Sequence, residues 1–381
     1  MRAWMLLAFA AGNGMDPEVL GRIPARIQRF VDDGETAGLV VLIQRNGAPA
    51  LHEARGWRDR EARTPMTKDS IFQIASMTKP VTGAAILMLA DDGLIGLGDP
   101  VEKHLPEFRG IRLASGAAPS RPPTIRDLLT HTSGLGGSAP GLADLFEKRD
   151  RTLAEAVLVY SQQRLAFEPG SRWGYSNLGI ASLGRIVEVA SGMPFERFLA
   201  ERLFQPLGMK DTFFYPPEDK HALIAAMYRR DASGKLHRAE FDLYRRGAKY
   251  PAPEGGLYST AADLGAFYQA MLDGGIYRGR RILSKAAVET MTSNHTGDLK
   301  AGFAPGFGYG LSWGVIRNND GIFRMNAKGS YGHGGAWRTY GWIDPARRMT
   351  GVILQQRMSG DGDMAAEFNA IMSMAAAAIR D

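Results

Sequence analysis

The 381-residue chain is 45% hydrophobic and 23% charged, the composition of an ordinary globular protein with room for one large domain or two that pack together. Its formal net charge of +6 comes from 46 basic and 40 acidic side chains that are scattered along the chain, so no nucleic-acid footprint is present and none is expected as a partner. With no cysteine there is no disulfide framework, thiolate nucleophile or cysteine metal site, and the seven histidines fall in no ligand spacing, so neither a metal nor a cofactor is expected.

Residues 1–14 hold Arg2, an apolar run from Ala3 to Ala11 and an Ala8-Phe9-Ala10 sequence open to cleavage. They read as an N-terminal arm ahead of Met15 or as a short export signal. The first reading predicts a cytoplasmic protein; a periplasmic or secreted one follows only if residues 1–10 act as a signal. Nothing further along approaches the apolar length of a membrane span.

Residues 38–56, GLVVLIQRNGAPALHEARG, predict a β-hairpin, because Asn46-Gly47 suits a type I′ turn in which both central residues take positive φ. Residues 76–90, SMTKPVTGAAILMLA, are apolar almost all round after Pro80 and predict a buried helix with Ser76 at its first turn. Three-residue spacing puts Ser76 and Lys79 on one face. A lysine withdrawn from water there has its pKa lowered, because burial penalises the charged form, and it can then accept a proton. A serine in this place can equally be only a helix cap.

Helical patterns continue through RTLAEAVLVYSQQRL (151–165), NLGIASLGRIVEVASG (177–192) and MPFERFLAERLF (193–204), where Pro194 suits a first turn. Between the first two, Tyr175-Ser176-Asn177 lies directly before a helix. A phenol beside an ammonium is favoured as phenolate, so Tyr175 can carry the Ser76 proton; it can also be a core tyrosine in a turn. Residues 216–250 are polar with little periodicity.

Strand patterns return in YGLSWGVIR (309–317) and GIFRMNA (321–327) about Asn319-Asp320-Gly321, then in WRTYGWID (337–344) and MTGVILQQ (349–356), and MAAEFNAIMSMAAAAI (364–379) predicts a closing helix. His333-Gly334-Gly335 removes side chains where a substrate carbonyl could reach backbone N–H groups. GLSWG (310–314) matches the lipase pentapeptide, but that motif needs a helix after the serine and strand residues follow Ser312. Strands at both ends with helices between predict an α+β fold, an antiparallel sheet flanked by helices. Residues 15–75 and 240–381 would form the sheet domain, and 76–239 a mostly helical one.

The three segments, with DPVEKHLPEF (99–108), LLTHTSGL (128–135) and GGLYSTAADLGAF (255–267), resemble the serine hydrolases of the class C β-lactamase and penicillin-binding type, most closely the family VIII carboxylesterases. The resemblance implies Ser76 as the acylated nucleophile, with Lys79 and Tyr175 sharing the proton work. It implies an oxyanion hole from the backbone N–H groups of Ser76 and Ala336. Asn177 would hold Lys79 and the substrate, with His333, Gly334 and Gly335 also lining the binding cleft between the domains. One departure bears on substrate: β-lactamases of this type carry Lys-Thr-Gly where this chain has His333-Gly334-Gly335, and Lys328-Gly329 is out of register to replace it. Losing that cation and hydroxyl favours a small-molecule ester of a short acyl group over a β-lactam. A β-lactamase, a D-alanyl peptidase, an acyltransferase on the same residues, or a non-catalytic scaffold are the alternatives.

Overall fold

Alternate residues of one strand face opposite sides of a sheet, and in Gly38–Arg45 (β1) both sides are apolar. Leu39, Val41 and Ile43 enter one hydrophobic cluster while Val40 and Leu42 enter another. The strand must therefore lie in a sheet covered on both faces. In the computed structural model, which describes residues 13–137, 145, 148–240, 242, 244–321, 325–358 and 366–380, it does.

β1 pairs antiparallel with β2 (Ala48–Asp59), and Asn46 and Gly47 take φ of 51° and 78° in the predicted hairpin turn. After β3 (Thr64–Pro65), the sheet is completed late in the chain by β4 (Phe307–Tyr309), β5 (Gly314–Ile316), β6 (Tyr331–Gly335), β7 (Thr339–Asp344) and β8 (Met349–Gln355). The eight strands run in the order β4-β5-β6-β7-β8-β1-β2-β3, with every pairing antiparallel. Helices α1 (Ile23–Asp32) and the last helix, Ala366–Ala377, supply Ile23, Ile27, Phe368 and Ile371 to one face. The other face packs on Ala261–Leu272 and, beyond it, on α2 (Thr78–Asp91), buried from Thr78 through Leu89. Among the described residues no helix is long and apolar enough to cross a membrane.

Two expectations change. The predicted strands about Asn319-Asp320-Gly321 are replaced by an earlier, tighter hairpin: β4 and β5 are joined at Gly310–Trp313, and Gly321 and Met325–Ala327 are not in strand. The turn's N–H groups explain this, since Leu311 donates to Met291 O (2.9 Å) and Ser312 to Leu129 O (2.8 Å), which pulls the chain out of the sheet. Residues 216–250 contain regular structure despite their polarity, a helical turn at Glu218–Leu223 and a hairpin of Tyr228–Arg230 with Leu236–Arg238. Ile322 to Arg324, and all but Asn13 and Gly14 of the N-terminal arm, lie outside the described residues.

Candidate active site

Ser76 stands in a single 3₁₀ turn, Ala75–Met77, that runs straight into α2. It is not a cap: neither helical start carries a side-chain cap bond, and Ser76 Oγ instead lies 2.9 Å from Lys79 Nζ. Lys79 also donates to the carbonyl oxygen of Glu254 at 2.6 Å. That carbonyl is brought to α2 by a tightly packed segment. Thr82 Oγ1 donates to Pro253 O at 2.7 Å and Leu257 N–H donates to Thr78 Oγ1 at 3.2 Å, while a Cβ on Gly184 would strike the Pro253 ring at 2.2 Å. Lys79 is fully buried, and burial lowers its pKa from 10.5 to about 7 against the opposing pull of the buried Glu254 carboxylate. It is poised to exchange a proton at neutral pH.

The turn is tied to the sheet as well. Thr339 Oγ1 donates to Ile74 O at 3.1 Å, and a Cβ on Gly335 would lie 2.4 Å from the same oxygen, so only glycine lets the end of β6 come this close. Ala75 takes a φ of 46° beside the serine, a strained conformation of the kind that collects at functional sites.

Tyr175 arrives on the loop before α3 (Asn177–Ser191), whose N-cap is Ser176, with Ser176 Oγ accepting from Gly179 N–H at 2.9 Å. Its ring centroid is 4.7 Å from Lys79 Nζ, and it opens with Ser76 onto one cavity. The expected phenolate is corrected here. Burial pushes the phenol well above its ordinary pKa of 10, outweighing the opposing influence of the nearby Ser76 hydroxyl, so Tyr175 keeps its proton. A second correction concerns Asn177. It is the first residue of α3, and among the described residues no hydrogen bond joins it to Lys79; the Glu254 carbonyl takes that place.

His333 lies on β6 with its ring buried. Its Nδ1–H donates to Gly334 O at 2.7 Å, and its Nε2 therefore accepts from Tyr309 O–H at 3.0 Å. Burial, reinforced by the nearby Lys79, lowers its pKa to about 3. Where the resemblance places a permanent cation, this site holds a neutral ring.

Ser76, Tyr175, His333, Gly334, Gly335 and Ala336 open onto one cavity of about 290 Å³, whose walls are otherwise largely aromatic: Phe303, Phe307, Tyr309, Tyr340 and Phe368. The cation on its wall, Arg338, is bound to Glu367. Ser312 is not part of the site. It sits fully buried in the β4–β5 turn with φ of 67°, its hydroxyl has no hydrogen-bond partner among the described residues, and a strand follows rather than a helix.

The sequence profile of the family described as Beta-lactamase matches residues 23–376. The chain belongs to the β-lactamase family. Esterase EstB of Burkholderia gladioli is 30% identical over 359 residues, which span 87% of this chain and 89% of EstB. The structure of EstCE1, described as a hydrolase with promiscuous acyltransferase activity, superposes with a TM-score of 0.80 over 95% of this chain and 98% of its own, at 25% identity. A penicillin-binding protein homologue from Pyrococcus abyssi, an octamer, gives 0.74 over 94% and 76%, at 26% identity. The chain is thus a serine hydrolase with the α+β fold of this family.

Three residues at the site escape sequence reasoning: Glu254, Tyr309 and His131. Glu254 acts through its backbone carbonyl, which carries no residue-type signal. His131 lies in a stretch that carried the resemblance and Tyr309 opens a predicted strand, but nothing in their spacing aims them at Ser76.

Proposed function

We propose that the protein is a carboxylesterase that hydrolyses small-molecule esters of short acyl groups through an acyl-Ser76 intermediate. Neutral Lys79 takes the Ser76 proton as Oγ attacks the ester carbonyl carbon, and the backbone N–H groups of Ser76 and Ala336 receive the developing oxyanion. Tyr175, protonated and facing the same cavity as Ser76, gives its proton to the departing alkoxide and recovers one from Lys79. Water then attacks the acyl carbon, with Lys79 again accepting a proton, and Ser76 leaves with its own restored.

The observation that carries the choice of ester over β-lactam is the neutral His333 in an aromatic-walled cavity. A carboxylate entering there meets no free cation from His333, and Arg338 is already bound to Glu367. An uncharged ester has nothing to lose. A nitrophenyl ester series run against a chromogenic cephalosporin tests this: kcat/KM is expected to be higher for acetyl to hexanoyl esters, and a cephalosporin turned over faster than every ester would replace the reading with a β-lactamase. The apolar walls also favour a second outcome for the same intermediate, transfer of the acyl group to an alcohol, as the description of EstCE1 suggests. Ester exchange in aqueous alcohol measures it.

A further inference from the structure

Tyr175 can serve Ser76 only if its loop holds still, and one buried residue grips that loop on both sides of it. His131 follows the short helix Ile125–Leu129 with a φ of 59° and is completely buried. Its carbonyl oxygen accepts from Gly174 N–H at 2.8 Å. Its ring nitrogen Nδ1 accepts from Ser176 N–H at 3.1 Å. Between these two bonds the imidazole packs against the Tyr175 ring, centroid to centroid 4.5 Å, and is backed by Tyr309 at 5.0 Å and Trp173 at 6.0 Å.

We propose that His131 is a positioning residue that sets the phenol of Tyr175 for proton transfer, acting through the two flanking N–H groups and its own ring. The proposal rests on Tyr175 being the proton carrier of the reading above.

Several features fit this role better than a purely structural one. A non-glycine residue with positive φ is strained, and His131 Nε2 is buried with no hydrogen-bond partner among the described residues, so the imidazole costs stability where an apolar side chain would not. The clamp also requires one protonation state. An imidazolium would turn an Nδ1–H toward the Ser176 N–H, two donors face to face. Burial, with Lys79 and then His333 nearby, keeps the ring neutral by holding its pKa well below 6.5; Tyr175 and Tyr309, the other titratable groups against it, also stay uncharged.

The test is a double-mutant cycle with Tyr175→Phe on a nitrophenyl ester and an unactivated ester. His131→Leu removes the acceptor and should lower kcat by on the order of 10- to 100-fold with little change in KM, as misplacement of a reacting group does. In the Tyr175→Phe background the same change should cost almost nothing further. His131→Asn, which offers a side-chain oxygen and tolerates positive φ, should recover most of the kcat lost in His131→Leu. If His131→Leu does not fold, His131→Gly, which keeps the backbone conformation but supplies no acceptor, takes its place in the cycle. An equal loss with and without the phenol overturns the proposal, as does an Asn variant no better than Leu. If Tyr175→Phe itself keeps full activity on the unactivated ester, the proton-carrier reading fails and the proposal with it.

Discussion

The carbonyl oxygen of Glu254 lies 2.6 Å from Lys79 Nζ, the same nitrogen that lies 2.9 Å from Ser76 Oγ. A carbonyl can only accept. It therefore holds one N–H of the lysine whether the amine is charged or neutral, and in the neutral form it leaves the lone pair free to take the Ser76 proton. Burial supplies the rest by bringing the pKa into the neutral range.

The pH dependence follows from that value. A base works only when deprotonated, so kcat/KM should be on a plateau above about pH 7, where Lys79 is neutral, and fall tenfold per unit below it as Lys79 protonates. His333, with a pKa of about 3, should add no second limb between pH 5 and 8. A pH–rate profile that is flat from pH 5 to 8 would remove Lys79 from the role of base.

Glu254 offers a finer test of the same point. Its buried carboxylate, which accepts from Tyr250 O–H at 2.9 Å, raises the Lys79 pKa against the larger effect of burial. Burial also lifts the carboxyl's own pKa. Glu254→Gln keeps the backbone carbonyl and removes the charge, so the acid limb of kcat/KM should move to lower pH. An upward shift would contradict the sign of the interaction.

Ser76→Ala should lower kcat by on the order of 10⁴ or more, because among the described residues Ser76 is the one hydroxyl hydrogen-bonded to Lys79. Ser312→Ala should leave kcat nearly unchanged, since Ser312 is buried in its turn and among the described residues no base hydrogen-bonds its hydroxyl. Intact-protein mass after a slow ester gives an independent reading: one acyl adduct on the parent chain and on Ser312→Ala, none on Ser76→Ala.

Substrate choice turns on His333. The double change His333→Lys with Gly334→Thr restores a cation and a hydroxyl on β6, and a Cβ at position 334 would meet the edge of the Tyr340 ring at 3.3 Å and the Thr339 carbonyl oxygen at an ordinary 3.6 Å. A charge-assisted hydrogen bond contributes roughly 1.5–3 kcal/mol, so the ratio of cephalosporin to ester kcat/KM should rise by about 10- to 100-fold. The added ammonium should also move the acid limb of Lys79 downward, because a like charge disfavours protonation. An unchanged ratio would mean that position 333 does not select the substrate.

Much of this was legible in the chain itself. The Asn46-Gly47 hairpin, the buried helix after Pro80, the strands flanking Pro345 and the closing helix follow from local periodicity and turn chemistry, which neighbours along the chain decide. Ser76 and Lys79 are three residues apart on one helical turn, so their contact too is local. The tertiary structure alone decided the rest, because it depends on groups far apart in sequence meeting in space. Glu254 reaches Lys79 across 175 positions through a backbone atom. The early turn at Ser312 exists because Met291 and Leu129 offer carbonyls that a strand pattern cannot foresee. Burial, not the adjacent ammonium, fixes Tyr175 as a protonated phenol and His333 as a neutral ring, and burial is a property of the packed molecule that no residue's identity carries by itself.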